Sequence, residues 1–174
     1  MTGEALPLCR SVRRAGSWTE AHGRIGLDYE ARMLRRRRLV AADGMAFLAD
    51  LAETTAMGDG DAFALDDGRI IVVEAAEEPL LAVTGDLPRL AWHIGNRHTP
   101  CQIEAGRLLI RADHVLRDML ERLGAEVAEL TGPFTPEGGA YGHGRTMGHD
   151  HGPAGGHAHH HGHHDHGHGS RADA

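Results

Sequence analysis

The chain has 174 residues, a formal net charge of −7 with histidine counted as neutral, and only 4% aromatic residues. This length allows one or two small domains, whose cores must be built mainly from aliphatic side chains. All 18 Lys+Arg residues are arginine, which excludes Schiff-base chemistry and a P-loop lysine. The acidic balance disfavours nucleic-acid binding, because that activity needs basic surface to displace counterions.

The cysteines and the apolar runs predict a cytoplasmic protein. Cys9 and Cys101 lie far apart and do not make a disulfide framework, so a reducing compartment is expected. Residues 1–14 lack the sustained apolar stretch of a signal peptide. The longest apolar runs, such as residues 69–73, are too short to span a membrane, and no membrane partner is expected.

Residues 1–75 have the pattern of a small β domain. Strand-like runs separated by Gly-containing turns occur at residues 29–40, 45–50 and 70–73. Residues 51–57 have room for a helical turn. The arginine run at residues 35–38 is interpreted as a strand with solvated side chains rather than as a patch for nucleic acid or an acidic partner.

Residues 76–142 predict a second domain in which strands and helices alternate. After a linker at residues 77–79, strands are expected at residues 80–84, 101–104, 108–110 and 126–130. Two helices separate these strands, and each is expected to begin after a capping aspartate, Asp86 or Asp113. The order βαββαβ predicts a ferredoxin-like unit, so the fold class is α+β.

Each predicted helix carries an apolar stripe at helical spacing. The stripe of the first helix consists of Leu87, Leu90, Ala91 and Ile94. The stripe of the second helix consists of Val115, Leu116, Met119, Leu120 and Leu123.

Residues 143–174 have the composition of a disordered tail. They contain 11 of the 15 histidines and almost no large apolar residue, so they cannot bury enough surface to offset their ordering entropy. Imidazole is a common ligand for zinc, copper and nickel, and we expect loose binding of several ions. A purification tag and a solubilising pH-responsive tail are the alternatives. The tail histidines are His143, His149, His151, His157, His159, His160, His161, His163, His164, His166 and His168.

Single residues of the second domain are weaker metal candidates when they are judged from the pattern alone. His98 follows the first helix and precedes Pro100, which restrains the local backbone, but periodicity makes it an ordinary half-exposed side chain. Cys101 is either a soft ligand or a small buried hydrophobe. His93 lies between two arginines, whose charge disfavours a bound cation. His114 could chelate an ion together with Asp118, although a solvated helix start is the simpler interpretation.

No motif for nucleophilic or hydrolytic catalysis is present, which argues against an enzyme. Three blocks of sequence instead resemble the UreE family, the urease accessory nickel metallochaperones. The blocks are residues 92–100 (Trp-His-Ile-Gly-Asn-Arg-His-Thr-Pro), residues 113–120 (Asp-His-Val-Leu-Arg-Asp-Met-Leu) and residues 133–143 (Pro-Phe-Thr-Pro-Glu-Gly-Gly-Ala-Tyr-Gly-His). Together with the two-domain layout and the tail, the resemblance covers essentially the whole chain.

This resemblance implies a homodimer formed through the ferredoxin-like domains. It implies that His98 of each protomer meets its counterpart near the two-fold axis and binds a shared Ni²⁺, with tail histidines or water as further ligands. The N-terminal β domain is then the module that binds a partner protein or peptide. The implied partners are the GTPase UreG and the urease maturation complex with its UreF and UreD-type scaffold proteins.

Two departures from the family limit the ligand set. Some members carry additional histidines before the second helix, whereas Arg111 and Ala112 stand there in this chain and cannot ligate, which weakens a secondary site at His114. Cys101 occupies a position that tends to be apolar in the family, which favours packing. Zn²⁺ and Cu²⁺ are expected to compete with Ni²⁺ in vitro. A metal storage or buffering protein is the main alternative function, and a metal-dependent hydrolase is the least favoured.

Overall fold

Two β-sheets and two helices make up residues 5–138, which are the part of the chain that this computed structural model describes. The predicted tail, residues 143–174, lies outside the described residues. The elements in chain order are β1 (Leu8–Arg13), β2 (Gly23–Leu27), β3 (Met33–Val40), β4 (Ala46–Ala56), β5 (Ala62–Leu65), β6 (Ile70–Ala75), β7 (Glu77–Thr84), α1 (Leu87–Gly95), β8 (Gln102–Ile103), β9 (Leu108–Arg111), α2 (His114–Arg122) and β10 (Glu126–Pro133).

The first sheet has six strands in the order β2-β6-β5-β1-β4-β3. Its core includes two fully buried phenylalanines, Phe47 and Phe63, whose ring centroids lie 5.4 Å apart. The four arginines at residues 35–38 are exposed on the edge strand β3, and Arg36 pairs with Asp50 at 3.7 Å. The predicted β character of this region is therefore confirmed, as is the solvation of the arginines.

Residues 51–57 do not form the helical turn for which the sequence left room. Strand β4 continues through Ala56, and its end pairs with the start of β3, so that Met33 lies opposite Ala56 and Leu34 opposite Thr55. Pairing with a neighbouring strand decides the conformation here, since local preference for strand or helix depends strongly on context.

The second sheet has the strand order β10-β7-β9-β8, with every neighbouring pair antiparallel. Alternate residues of its central strands face opposite sides. Leu81 and Ile110 belong to the core formed with the two helices, whereas Leu80 and Leu109 pack on the other side with Phe134. The predicted order of strands and helices is therefore present in this region.

Two details of the second region differ from the sequence-based prediction. Residues 77–79 are not a linker, because β7 begins at Glu77 and Pro79 pairs with Thr131 of β10. Pro79 lies near the start of the strand, where β9 does not pair with it and the missing N–H is tolerated. Val115 is not part of the buried stripe of α2, since 55% of its surface is exposed.

The helix boundaries follow the predicted caps. The side chain of Asp86 accepts a hydrogen bond from the Arg89 N–H, and that of Asp113 accepts one from the Leu116 N–H. Leu90 and Ile94 are the buried residues of α1, and Leu120 is buried in α2. Neither helix within residues 5–138 is long and apolar enough to cross a membrane.

Candidate metal centre

The turn after α1 presents His98 to solvent in a constrained conformation. The His98 N–H donates to the Gly95 carbonyl at 2.9 Å, and His98 has a φ of 55°. Within residues 5–138 it is the one non-glycine residue with a positive φ. Such a conformation costs free energy and is enriched at functional sites. The structure therefore distinguishes His98 from an ordinary helix-end histidine, a distinction that periodicity did not make.

The neighbouring candidates occupy different environments. His93 is half-buried on α1, where its ring makes an edge contact with Trp92 at 5.0 Å between centroids. Trp92 itself is 64% exposed, which is unusual for so large an apolar side chain. His114 is exposed at the first position of α2 and lies beside Arg117, which forms ion pairs with Glu121 and Glu129.

Cys101 is half-buried and packs against the core under the helices. Burial, assisted by the negative charge of Glu137, raises the pKa of its thiol to about 11. Metal ligation needs the thiolate, which is scarce at neutral pH when the pKa is raised in this way. The burial of Cys101 therefore supports the interpretation that its side chain packs in the core and does not bind a metal.

His98 has no complete ligand set around it in the described part of the chain. Residues 5–138 contain no group of three or more His, Cys, Asp or Glu side chains placed to hold a metal ion. An ion at His98 therefore needs ligands from elsewhere, such as a second protomer or the eleven tail histidines. Those histidines lie outside the described residues, so their ligand roles stay predictions.

The segment after β10 brings the chain toward this turn. Phe134 is fully buried, and the Glu137 N–H donates to the Cys101 carbonyl at 2.9 Å. Cys101 follows His98 by three residues. Two side chains contact this segment: Arg32 donates to the Phe134 carbonyl, and Gln102 accepts from the Thr135 N–H. Sequence reasoning missed both. The sequence block at residues 133–143 pointed to the segment itself. Nothing in the sequence pattern showed that it contacts Gln102 and Arg32, which lie 33 and 102 positions earlier than their partners.

Comparison with known proteins decides the family. A family model described as the N-terminal domain of the UreE urease accessory protein matches residues 7–76. A second model, described as the C-terminal domain of the same protein, matches residues 70–170. The chain belongs to the UreE family of urease accessory proteins.

Individual relatives carry the same description over most of their length. The UreE protein of Ruegeria pomeroyi is 63% identical over 147 residues, covering 84% of this chain and 99% of the relative. The UreE protein of Rhodobacter capsulatus is 66% identical over 142 residues, covering 82% of this chain and 91% of the relative. The UreE protein of Paracoccus denitrificans is 68% identical over 137 residues, covering 79% of this chain and 87% of the relative.

UreE membership confirms the resemblance predicted from the three sequence blocks. It also places the chain among accessory proteins that assist urease rather than among enzymes, in line with the missing catalytic motifs. The two family models overlap at residues 70–76, which contain β6 of the first sheet and end just before β7 of the second sheet begins at Glu77.

Proposed function

We propose that this UreE protein is a nickel metallochaperone, which binds Ni²⁺ through His98 and delivers it to the urease maturation complex. The observation that supports this most directly is the exposed His98 in a left-handed turn, with no closed ligand set around it among residues 5–138. A delivery protein must release its cargo. Exposed ligands that are shared between chains suit that task better than a closed tetrahedral site does.

The second domain is proposed to form the homodimer. Its sheet order places β7 between β9 and β10, which is consistent with a ferredoxin-like unit that has both helices on one face. In a two-fold dimer the same patch meets itself, so two His98 side chains near the axis provide two ligands for one ion. The exposed Trp92, on the helix that leads to His98, is a suitable apolar contact for that interface.

The His-rich tail is proposed to supply further ligands and to collect ions. Its first histidine, His143, follows Gly138 by five residues in the sequence. Imidazole ligands favour late divalent ions, and Cu²⁺ binds them more tightly than Ni²⁺. Selectivity for nickel must then come from geometry, from metal availability and from the partner.

The remaining assignments follow from family membership. Residues 1–75 are proposed as the partner-binding β domain, residues 76–142 as the metal-binding and dimerisation domain, and residues 143–174 as the tail. The proposed partners are UreG and the UreF and UreD-type scaffold proteins, in the cytoplasm. Zn²⁺ and Cu²⁺ are proposed as competitors for the same ligands in vitro.

A calorimetric Ni²⁺ titration of the full chain tests the proposal. We expect one tighter ion per dimer, and we expect His98→Ala to remove it while the weaker tail sites remain. His22→Ala, which removes a histidine of the first domain, is the matched control and should leave the tighter ion bound. An unchanged tighter site in His98→Ala would contradict the nickel mechanism.

A 1–142 variant discriminates between delivery and storage in the same titration. Delivery predicts that this variant keeps about one ion per dimer and loses only the weaker sites. Storage, which the composition of the tail favours, predicts that the truncated chain binds nothing.

A further inference from the structure

The first sheet ends in a strand whose outer side is open. In the described part of the chain, β3 is the last strand of the sheet and pairs with β4 alone. The pairing is regular over five residue pairs, from Arg36 opposite Asp50 to Val40 opposite Ala46. No other backbone hydrogen bond within residues 5–138 involves residues 35–40. Alternate residues of such a strand turn their N–H and C=O groups away from the one partner, so these groups face solvent.

The opposite edge of the same sheet is less open. The Arg24 carbonyl of β2 accepts from the Ala42 N–H at 2.8 Å, because the chain folds back toward β2 directly after β3 ends. The guanidinium of Arg24 is also paired, with Glu74 at 2.5 Å. The free backbone groups and the free charge of this sheet are therefore concentrated on β3.

The open strand is strongly basic. Residues 35–38 are four consecutive arginines, and all four are exposed. Arg36 alone among them forms an ion pair with a described residue, Asp50, at 3.7 Å. Since neighbouring side chains of a strand point to opposite faces, the run places positive charge on both faces of the sheet. We call residues 35–40 of β3 the basic edge.

The outer face of the sheet adds apolar surface beside the arginines. Leu39 faces the core, so the residues on either side of it, Arg38 and Val40, point away from the core. Val40 is 47% exposed. Arg38 lies opposite Leu48 of β4, which in turn lies opposite Leu8 of β1, and both leucines are half-buried. A ligand at the basic edge therefore meets apolar side chains as well as charge.

These properties define the chemistry of the ligand. The open backbone groups of a strand are satisfied by another extended strand. A second copy of β3 does not fit, because arginine would lie opposite arginine and like charges destabilise a strand pair. A nucleic acid is disfavoured, because the whole chain has a net charge of −7 and repels a long polyanion beyond the short edge. A short acidic strand satisfies both the backbone and the charges.

We propose that the basic edge binds an extended acidic segment of a partner protein, which joins the six-stranded first sheet beside β3. The inference deepens the proposed role of residues 1–75 as the partner-binding domain and rests on it. Main-chain hydrogen bonds to β3 align the segment, and carboxylates on both of its faces pair with residues 35–38. The five regular residue pairs give the contact a length of about 17 Å.

The test measures the binding of a labelled peptide to the full chain by fluorescence anisotropy. The probe is Thr-Val-Glu-Glu-Glu-Glu-Val-Thr, which combines consecutive acids with residues that favour strands. One control peptide has glutamine in place of every glutamate. The other is N-methylated at its two central glutamates, whose N–H groups point to opposite edges of a strand, so it keeps its charge but loses the ladder. A chelator and a pH of about 8 keep the histidines neutral and free of metal.

A pair of arginine variants locates the binding. Arg37→Gln/Arg38→Gln is the test variant, because both side chains are exposed and neither forms an ion pair with a described residue. Arg13→Gln/Arg122→Gln is the matched control, which makes the same change of charge with exposed arginines outside β3. The test variant should weaken binding about four- to twentyfold, since each exposed ion pair contributes about two- to fivefold. At physiological salt the control should change binding less than about twofold, because distant charges are screened.

We expect the acidic probe to bind more tightly than both control peptides and to protect alternate amides of residues 35–40 from hydrogen exchange. Absence of binding would overturn the proposal, and the arginines would then only keep copies of the sheet apart. Equal binding of the N-methylated peptide would overturn the added strand, and tighter binding of octathymidylate would overturn the peptide as the ligand.

Two results separate this inference from the proposed function. Probe binding that is equal in the two arginine variants would refute the basic edge, while residues 1–75 would remain a candidate partner-binding domain. An unchanged nickel site in His98→Ala would refute the proposed metal chemistry, a result that the peptide measurement does not affect because it is made without metal.

Discussion

At the scale of single residues, the backbone conformation of His98 affects stability separately from the chemistry of its side chain. A left-handed φ disfavours most residues, while asparagine tolerates it comparatively well and β-branched residues do so poorly. The conformation is stabilised by the hydrogen bonds of the turn, in which Arg97 and His98 donate to Ile94 and Gly95. The position therefore has a backbone requirement that is separable from the imidazole ligand of the proposed function.

Substitution separates these requirements. We expect His98→Asn to keep the free energy of unfolding close to that of the wild type while removing the imidazole that is proposed to bind nickel. His98→Val should be destabilised by about 1–2 kcal/mol relative to His98→Asn, because valine opposes the left-handed conformation. Urea unfolding of the metal-free proteins measures the difference. Equal stability of the two variants would mean that the turn does not hold this φ in solution.

At the scale of elements, the two helices begin with caps of different quality. Asp113 has an extended backbone, and its Oδ1 lies 2.9 Å from the Leu116 N–H. Asp86 has a less regular backbone, and its Oδ1 lies 3.4 Å from the Arg89 N–H. Hydrogen bonds weaken at the longer distance, so the second helix depends more on its cap.

The prediction from these caps is a difference between two alanine substitutions. Asp113→Ala should lower the free energy of unfolding by about 1 kcal/mol, a typical loss for a helix cap, and Asp86→Ala by less. Chemical denaturation followed by circular dichroism measures both. A larger loss for Asp86→Ala would contradict the ranking by cap geometry.

Elements with a local signal could be predicted from the sequence, and elements that depend on distant pairing could not. Both helices were predicted because an aspartate cap and an apolar stripe lie within one segment. The end of β4 was missed because its conformation comes from β3, about twenty residues earlier in the chain. The motif at residues 92–100 singled out His98, whose role as a metal ligand stays a prediction. Arg32 and Gln102 were missed because their contacts to Phe134 and Thr135 span 102 and 33 positions.

At the scale of the whole molecule, a polar cluster joins the two domains beside the contact between Tyr29 and Phe134. Arg111 of β9 pairs with Glu30 of the first domain at 2.7 Å and with Glu78 at 3.2 Å. Glu78 is buried and also accepts from the Tyr29 N–H at 2.8 Å. Removing one partner of a buried charge leaves the other uncompensated, which costs more than losing an exposed pair. Arg111 is therefore expected to couple the stabilities of the two domains.

Arg117 provides the comparison, since it also forms two ion pairs, but only with the exposed Glu121 and Glu129 of its own domain. Arg117→Ala should cost at most about 1 kcal/mol and leave one cooperative unfolding transition. Arg111→Ala should cost more and separate the transitions of the two domains. Trp18 lies in the first domain and Trp92 in the second, so urea unfolding followed by fluorescence in Trp18→Phe and Trp92→Phe backgrounds reports each domain separately. Coincident transitions and equal losses in the two arginine variants would show that the polar cluster does not couple the domains.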